Sequence, residues 1–259
     1  MKKFRNITSK ITPALGIIFI LLVWQIMSNL SLIPEFMLPS PLEVIRAFKM
    51  EFPLLLTHLK VTLVEAFLGL AIGVLLGCIL ALLMEYFDFL YKSLYPLMII
   101  TQTIPTVAIA PLLVLWFGYG MTPKIVLIVL VTFFPIAVGV LDGFKSVDPD
   151  IIKLLKSMGA NSFQILRYAK IPNAMSHFFA SLRISASYSI VGAVISEWLG
   201  GFNGLGVYMT RVRKSYSFDK MFAVIFLISL LSILLMKAVD LLEKVSMPWI
   251  KNDNGGEKK

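Results

Sequence analysis

The chain has 259 residues, 58% of them hydrophobic and 15% charged, with a formal net charge of +9. About a quarter of the residues of soluble domains are charged, so this composition excludes an ordinary soluble protein and predicts an all-α integral membrane protein without an extended soluble domain. The basic residues lie scattered between apolar runs instead of forming a stripe, which argues against a nucleic-acid partner, and the single Cys78 excludes an intramolecular disulfide or a thiolate metal cluster.

Lys2, Lys3, Arg5 and Lys10 precede the first apolar run. No small-x-small cleavage site follows in "WQIMSNLSLIPEF", so the run is expected to stay as an uncleaved span over about 14–30. Next, "LPSPLEVIRAFKMEF" sets Leu42, Ile45 and Phe48 at helical spacing beside Glu43, Arg46 and Lys49. This pattern predicts an interfacial amphipathic helix with Ser40 as N-cap and Pro41 at its first position. A second span over 61–84 carries Gly69, Gly73, Gly77 and Ala81, four residues apart. Such a strip lets a neighbouring helix approach closely in lipid.

The third span, 94–117, is interrupted by Pro105 and Pro111 and holds Gln102, Thr103 and Thr106 at membrane depth. The carbonyls that prolines free are tolerated only against protein or a water-filled cavity, so this span is expected to face the bundle interior and either line a substrate path or kink. Further spans are expected over 125–141, 178–199 and 221–238; the fifth presents Ser181, Ser185, Ser189, Gly192 and Ser196 on a small-residue face. Glu65, Arg183 and Glu197 are costly in lipid and are functional candidates, although each is expected near a span end where it can reach water. His58 and His177 have no metal-ligand company in the sequence. The candidate path residues are Gln102, Thr103, Pro105, Thr106, Pro111, Ser185, Ser189 and Glu197.

Six spans put both termini on one side. The amino end, the turn at Lys92, the loop of about 148–173 with Lys145 before it, and the tail hold 14 Lys and Arg, against 8 on the opposite segments, which include Lys124. Positive charge stays on the cytoplasmic side, so the amino terminus (1–13) and tail (241–259) are expected in the cytoplasm, flanking a transmembrane domain over 14–240.

That loop reads "DPDIIKLLKSMGANSFQILRYAKIPNA". Asp148 and Pro149 start a short helix, and Gly159 ends it. A second short helix is expected from Asn161 or Ser162, burying Phe163, Ile165 and Leu166 and stopping before Pro172. The apolar face of this elbow either rests on lipid headgroups or fills a groove on a soluble partner.

Gly159 and Pro172 stand in the register of the Gly and Pro of the Glu-Ala-Ala, Gly, Ile-x-Leu-Pro loop of bacterial ABC importer membrane subunits, with Lys153-Leu154-Leu155 replacing Glu-Ala-Ala. "LPSPLEV", "PTVAIAPLLVLWFGYG" and "LRISASYSIVGAVISEWLGGFNGLGVYM" extend this along the chain, which resembles the permeases for nitrate, sulfonate and taurine and for thiamine pyrimidine precursors or riboflavin, with "QTIPTVAIAPL" leaning to the vitamin branch. The resemblance implies a non-enzymatic permease in the bacterial cell membrane that works with a second copy, two ATP-binding cassette subunits and an extracytoplasmic binding protein. It assigns ATPase contact to Leu154, Leu155, Met158, Gly159, Ala160, Phe163, Leu166 and Pro172. The chain has no G-x-x-x-x-G-K-[ST] phosphate loop and no expected cofactor or metal. A stand-alone secondary transporter is the alternative; it would need internal repeats and mid-membrane coupling carboxylates.

Overall fold

The computed structural model describes residues 2–30, 34 and 37–248, with side chains from Leu15 onward. The expected tail charges Lys251, Lys258 and Lys259 lie outside the described residues. Ten α-helices and no strand occur among them: α1 (Lys2–Asn29), α2 (Pro41–Tyr86), α3 (Asp88–Thr103), α4 (Thr106–Phe117), α5 (Met121–Lys145), α6 (Pro149–Ser157), α7 (Ser162–Ile165), α8 (Ile171–Gly200), α9 (Leu205–Lys214) and α10 (Phe218–Ser246). Each expected span falls on a helix, but they are not six equal crossings. Four described helical stretches are long and apolar enough to cross a membrane: Pro41–Tyr86, Met121–Lys145, Ser162–Leu199 and Phe218–Ser246. The α3–α4 pair, bent by 101°, would make a fifth, and Leu15–Asn29 is a shorter apolar helix.

Two boundaries differ from expectation, and one expected interruption is located. The amphipathic stretch after Ser40 is not a separate helix but the opening turns of α2. Ser40 and Glu43 cap it reciprocally, the Ser40 N–H donating to Glu43 Oε2 at 2.7 Å and the Glu43 N–H to Ser40 Oγ at 3.3 Å. Pro53 lies inside this helix, but no glycine follows it before Lys60 and Thr57 Oγ1 donates back to the Pro53 carbonyl at 3.2 Å, so the leucines carry the helix on. At 1.5 Å per residue α2 is about 70 Å long, more than twice the hydrocarbon thickness of about 30 Å, so part of it stands outside the lipid. The third span breaks at Ile104, whose backbone is extended before Pro105, because a residue preceding proline is driven out of the helical region. The elbow's second helix does not stop before Pro172: it passes through a π turn, Leu166–Lys170, in which the Ile171 N–H donates to the Leu166 carbonyl, and continues as α8. That wider turn accommodates the ring and missing N–H of Pro172.

The described chain divides into two compact units, one of residues up to His58 with Tyr208–Leu227, the other of Leu59 to Val207 with residues from Ile228 on. In the first, Trp24 stacks on Phe226 at 5.8 Å, meets Phe222 at 5.5 Å and donates from Nε1 to the Pro39 carbonyl at 3.0 Å. Lys220 pairs with Glu51, and the His58 ring lies 5.5 Å from that of Tyr208. Burial, with the Glu51 and Asp219 carboxylates nearby, pushes the Tyr208 phenol above its ordinary range.

The second unit is built around α5. Its residues Ile128, Thr132 and Ile136 lie against the α2 strip so closely that a Cβ on Gly69, Gly73 or Gly77 would collide with them; at Gly77 it would come 2.9 Å from the Ile136 side chain and 2.7 Å from the Phe133 carbonyl. On the opposite flank α5 meets the serine face of α8, where Ser185 Oγ donates to the Thr132 carbonyl at 3.0 Å. Small residues thus bring three backbones together, and Ile136, Ala137, Leu141 and Phe144 fill the space between them. Gly77→Leu is expected to cost roughly 1–3 kcal/mol or more by overpacking, lowering the melting temperature in detergent. Gly16→Leu, at a position with nothing within 4 Å, should leave it unchanged.

Candidate functional site

The elbow is assembled from local signals. Asp148 accepts from the Asp150 N–H at 2.8 Å and Pro149 opens α6. At its far end the Ala160 N–H donates to the Leu155 carbonyl and the Gly159 N–H to the Lys156 carbonyl, both at 3.0 Å. This is the Schellman arrangement, with Gly159 at φ +83° as its left-handed residue. Asn161 then starts α7 through a capping box with Gln164, both bonds 2.8 Å.

Two faces of the elbow differ. Ile151, Leu154 and Met158, at one-face spacing on α6, are 48%, 59% and 73% exposed, and Phe163 on α7 is 62% exposed. Ile165 is buried, while Leu155, Ala160 and Leu166 are half-covered and Gly159 and Pro172 are exposed. The expectation that Phe163 buries with Ile165 and Leu166 is therefore corrected: two positions along a helix diverge by about 200°, so with Ile165 turned inward Phe163 points outward and Leu166 is only half-covered. The inner face is anchored by groups the sequence did not single out. Lys170 pairs with Glu85 at the end of α2, and Asn173 Nδ2 donates to the Gly143 carbonyl at 2.9 Å. A rooted elbow with an uncovered apolar row can transmit force between a soluble partner and α5 and α8.

The candidate path residues fall into two groups. Gln102, Thr103, Pro105 and Pro111 are exposed and Thr106 half-exposed along the bent α3–α4 pair. There Gln102 Nε2 donates to the Leu130 carbonyl at 3.4 Å. Ser185, Ser189 and Glu197 are instead buried inside the unit.

Glu197 belongs to a polar cluster. Its Oε1 accepts from Thr62 Oγ1 at 2.7 Å and its Oε2 from the Gly206 N–H at 2.6 Å, while Thr62 Oγ1 accepts the Leu205 N–H at 2.9 Å. Together they hold the first turn of α9, whose unsatisfied N–H groups favour an anion. Beside them Lys124 Nζ donates to Glu65 Oε1 at 2.6 Å. Glu65 and Glu197, 2% and 1% exposed, do not reach water from span ends as expected, and Lys124, 5% exposed, is no free outer charge. Arg183 does keep a partly exposed position, bonded to Asp240 at 2.9 Å. The pairing Lys124–Glu65 spans 59 positions and Thr62–Glu197 spans 135, so no local pattern announces either.

Residues 73–248 match the family described as "Binding-protein-dependent transport system inner membrane component". The chain is 37% identical over 240 residues, 92% of its length and 96% of the other's, to the formylaminopyrimidine transport permease protein ThiX of Halalkalibacterium halodurans. It is 32% identical over 243 residues, 92% of its length and 91% of the other's, to the riboflavin transport system permease protein RibX of Chloroflexus aurantiacus. To the taurine transport system permease protein TauC of Escherichia coli it is 30% identical over 251 residues, 94% of its length and 91% of the other's. Its fold is similar to that in a crystal structure of an amino acid ABC transporter, with a TM-score of 0.64 at 20% identity over 76% of this chain and 96% of that one. The chain therefore belongs to the binding-protein-dependent inner membrane component family, the multi-pass permease subunits of ABC importers, in which ATP hydrolysis resides in a separate subunit.

Proposed function

We propose that two copies of this chain enclose the path of an importer for a pyrimidine precursor of thiamine, each copy seating its elbow in a groove of an ATP-binding cassette subunit, with both termini in the cytoplasm and a binding protein delivering substrate from outside. The carrying observation is the uncovered row Leu154, Met158 and Phe163 on an elbow otherwise fastened to the bundle. A neutral heteroaromatic cargo is supported by the relative named for formylaminopyrimidine transport. It is also supported by the path candidates, whose side chains other than Glu197 are uncharged. Lys124, the cation nearest them on α5, is already held by Glu65, so it offers little to a sulfonate.

Uptake of labelled formylaminopyrimidine, riboflavin and taurine in cells lacking and regaining the gene tests both parts. Gene-dependent uptake of the first compound alone is expected; uptake of taurine alone would overturn the substrate while leaving the importer. Burying each apolar side chain is worth about 1.5–3 kcal/mol. Leu154→Asp with Phe163→Asp should therefore weaken ATPase docking by at least about a hundredfold and abolish uptake with the chain still in the membrane. Unchanged uptake in that variant would discard the elbow as the docking element.

A further inference from the structure

Two cavities of the second unit are lined by successive turns of the same helices. The apolar one, about 230 Å³, is lined by Cys78 and Leu82 of α2, by Val140 and Phe144 of α5, and by Ala174 and Phe178 among the residues of α8. The polar one, about 350 Å³, is lined by Glu85 at the end of α2, by Lys156 and Ser162 of the elbow, and by Leu166 and Lys170 of the π turn. Residues 78, 82 and 85 follow one face of α2, and 166, 170, 174 and 178 recur every fourth position along the facing stripe. The two cavities are therefore the halves of one amphipathic slot, with the Lys170–Glu85 pair at the junction.

The chemistry of the halves selects the occupant. An apolar cavity of about 150 Å³ stays dry and takes up hydrocarbon, so the lower half suits an acyl chain and not water. In the upper half the charge of Glu85 is matched by Lys170. Lys156, which has no ion-pair partner among the described residues, gives the lining an excess positive charge, and Ser162 adds a hydroxyl donor. Basic pockets beside spans attract anionic headgroups. We propose that this slot is a binding site for one anionic phospholipid, its phosphate between Lys156 and Lys170 and one acyl chain running down past Leu82 and Phe178. Such a lipid wedges between α2 and the root of the elbow, so membrane composition would bear on how the elbow is held. The proposal rests on the chain crossing the membrane, not on the ATPase docking above.

Phosphatidylglycerol carrying a photoreactive diazirine in its acyl chain, added to the full-length chain in nanodiscs of phosphatidylcholine, tests this. Adducts are expected on peptides spanning 78–86 or 171–178, at least about tenfold above those from the matching phosphatidylcholine probe, the worth of one charge-assisted hydrogen bond. Lys156→Glu, at an exposed position that does not threaten folding, should remove that preference while labelling elsewhere stays unchanged. Equal labelling by the two lipids would overturn the proposal. So would displacement of the probe by millimolar inorganic phosphate, which marks a free-phosphate site. A thiol crosslink between Cys78 of two copies would place a second chain in the slot instead of a lipid. Copurification of the ATPase with the tagged chain from native membranes, for wild type and Lys156→Glu, reports on the importer reading separately.

Discussion

Gly159→Arg is expected to abolish ATP-driven uptake while the chain enters the membrane at its normal level. Gly159 holds φ at +83° as the left-handed residue of the turn that reverses the chain between α6 and α7. A side-chain-bearing residue there costs roughly 1–2 kcal/mol, and asparagine, which visits that region readily, costs less. Nothing lies within 4 Å of a Cβ built at this position, so the defect comes from backbone strain and from what the new side chain presents, not from a clash within the chain. Arginine would set a long cation beside Leu154 and Met158, the most exposed apolar positions of α6 and its C-cap. The graded prediction is that Gly159→Asn stays near wild type, Gly159→Ala falls several-fold and Gly159→Arg drops below about a thirtieth, a larger loss than strain alone gives. ATP hydrolysis by the reconstituted complex stimulated by binding protein is the readout, and wild-type stimulation in the arginine variant would end the assignment.

Lys124→Ala is expected to be the most destabilising single change in the polar cluster. It would leave the Glu65 carboxylate, 2% exposed, without the ammonium that now donates to it at 2.6 Å. Removing one partner of a buried pair costs about 3–5 kcal/mol, whereas replacing both by apolar residues of similar volume is often neutral or stabilising. Lys124→Met with Glu65→Leu should therefore recover most of the loss. At about 2–4 °C per kcal/mol for a chain of this size, the single variant should melt roughly 10 °C lower in detergent and the double variant close to wild type. A double variant as unstable as the single would show that the cluster acts through more than this pair, with Glu197 and its clamp on the Leu205 and Gly206 turn as the next place to look.

Much of the molecule was legible in contiguous residues. Apolar runs located every span helix, because the cost of leaving backbone groups unpaired in lipid makes each run a helix whatever surrounds it. Asp148, Pro149, Gly159 and Asn161 marked the elbow in advance for a related reason: a cap or a left-handed turn is satisfied by atoms a few residues away. The glycine strip of α2 likewise announced a close neighbour, since only a missing side chain admits a backbone at that distance.

Tertiary structure decided which neighbour came, and with it the meaning of the charged residues. Glu65 and Glu197 read as span-end groups and Lys124 as an outer-segment charge because a sequence shows how far a residue lies from the next polar segment, not which helix faces it. Once α2, α5 and α8 pack, charged and polar groups far apart in the chain must find one another, Lys124 with Glu65 and Thr62 with Glu197, since a bare charge between helices is too costly to keep. The outward turn of Phe163 belongs to the same class, whereas the break at Pro105 was visible in the sequence and only its 101° angle was not. Local backbone chemistry and hydropathy were enough to specify a membrane-spanning helical chain with a capped elbow, because caps, turns and apolar runs are satisfied within a few residues. Only the packed structure decided the partners of its buried charges and the slot beside the elbow, because both are made by surfaces that meet across the fold.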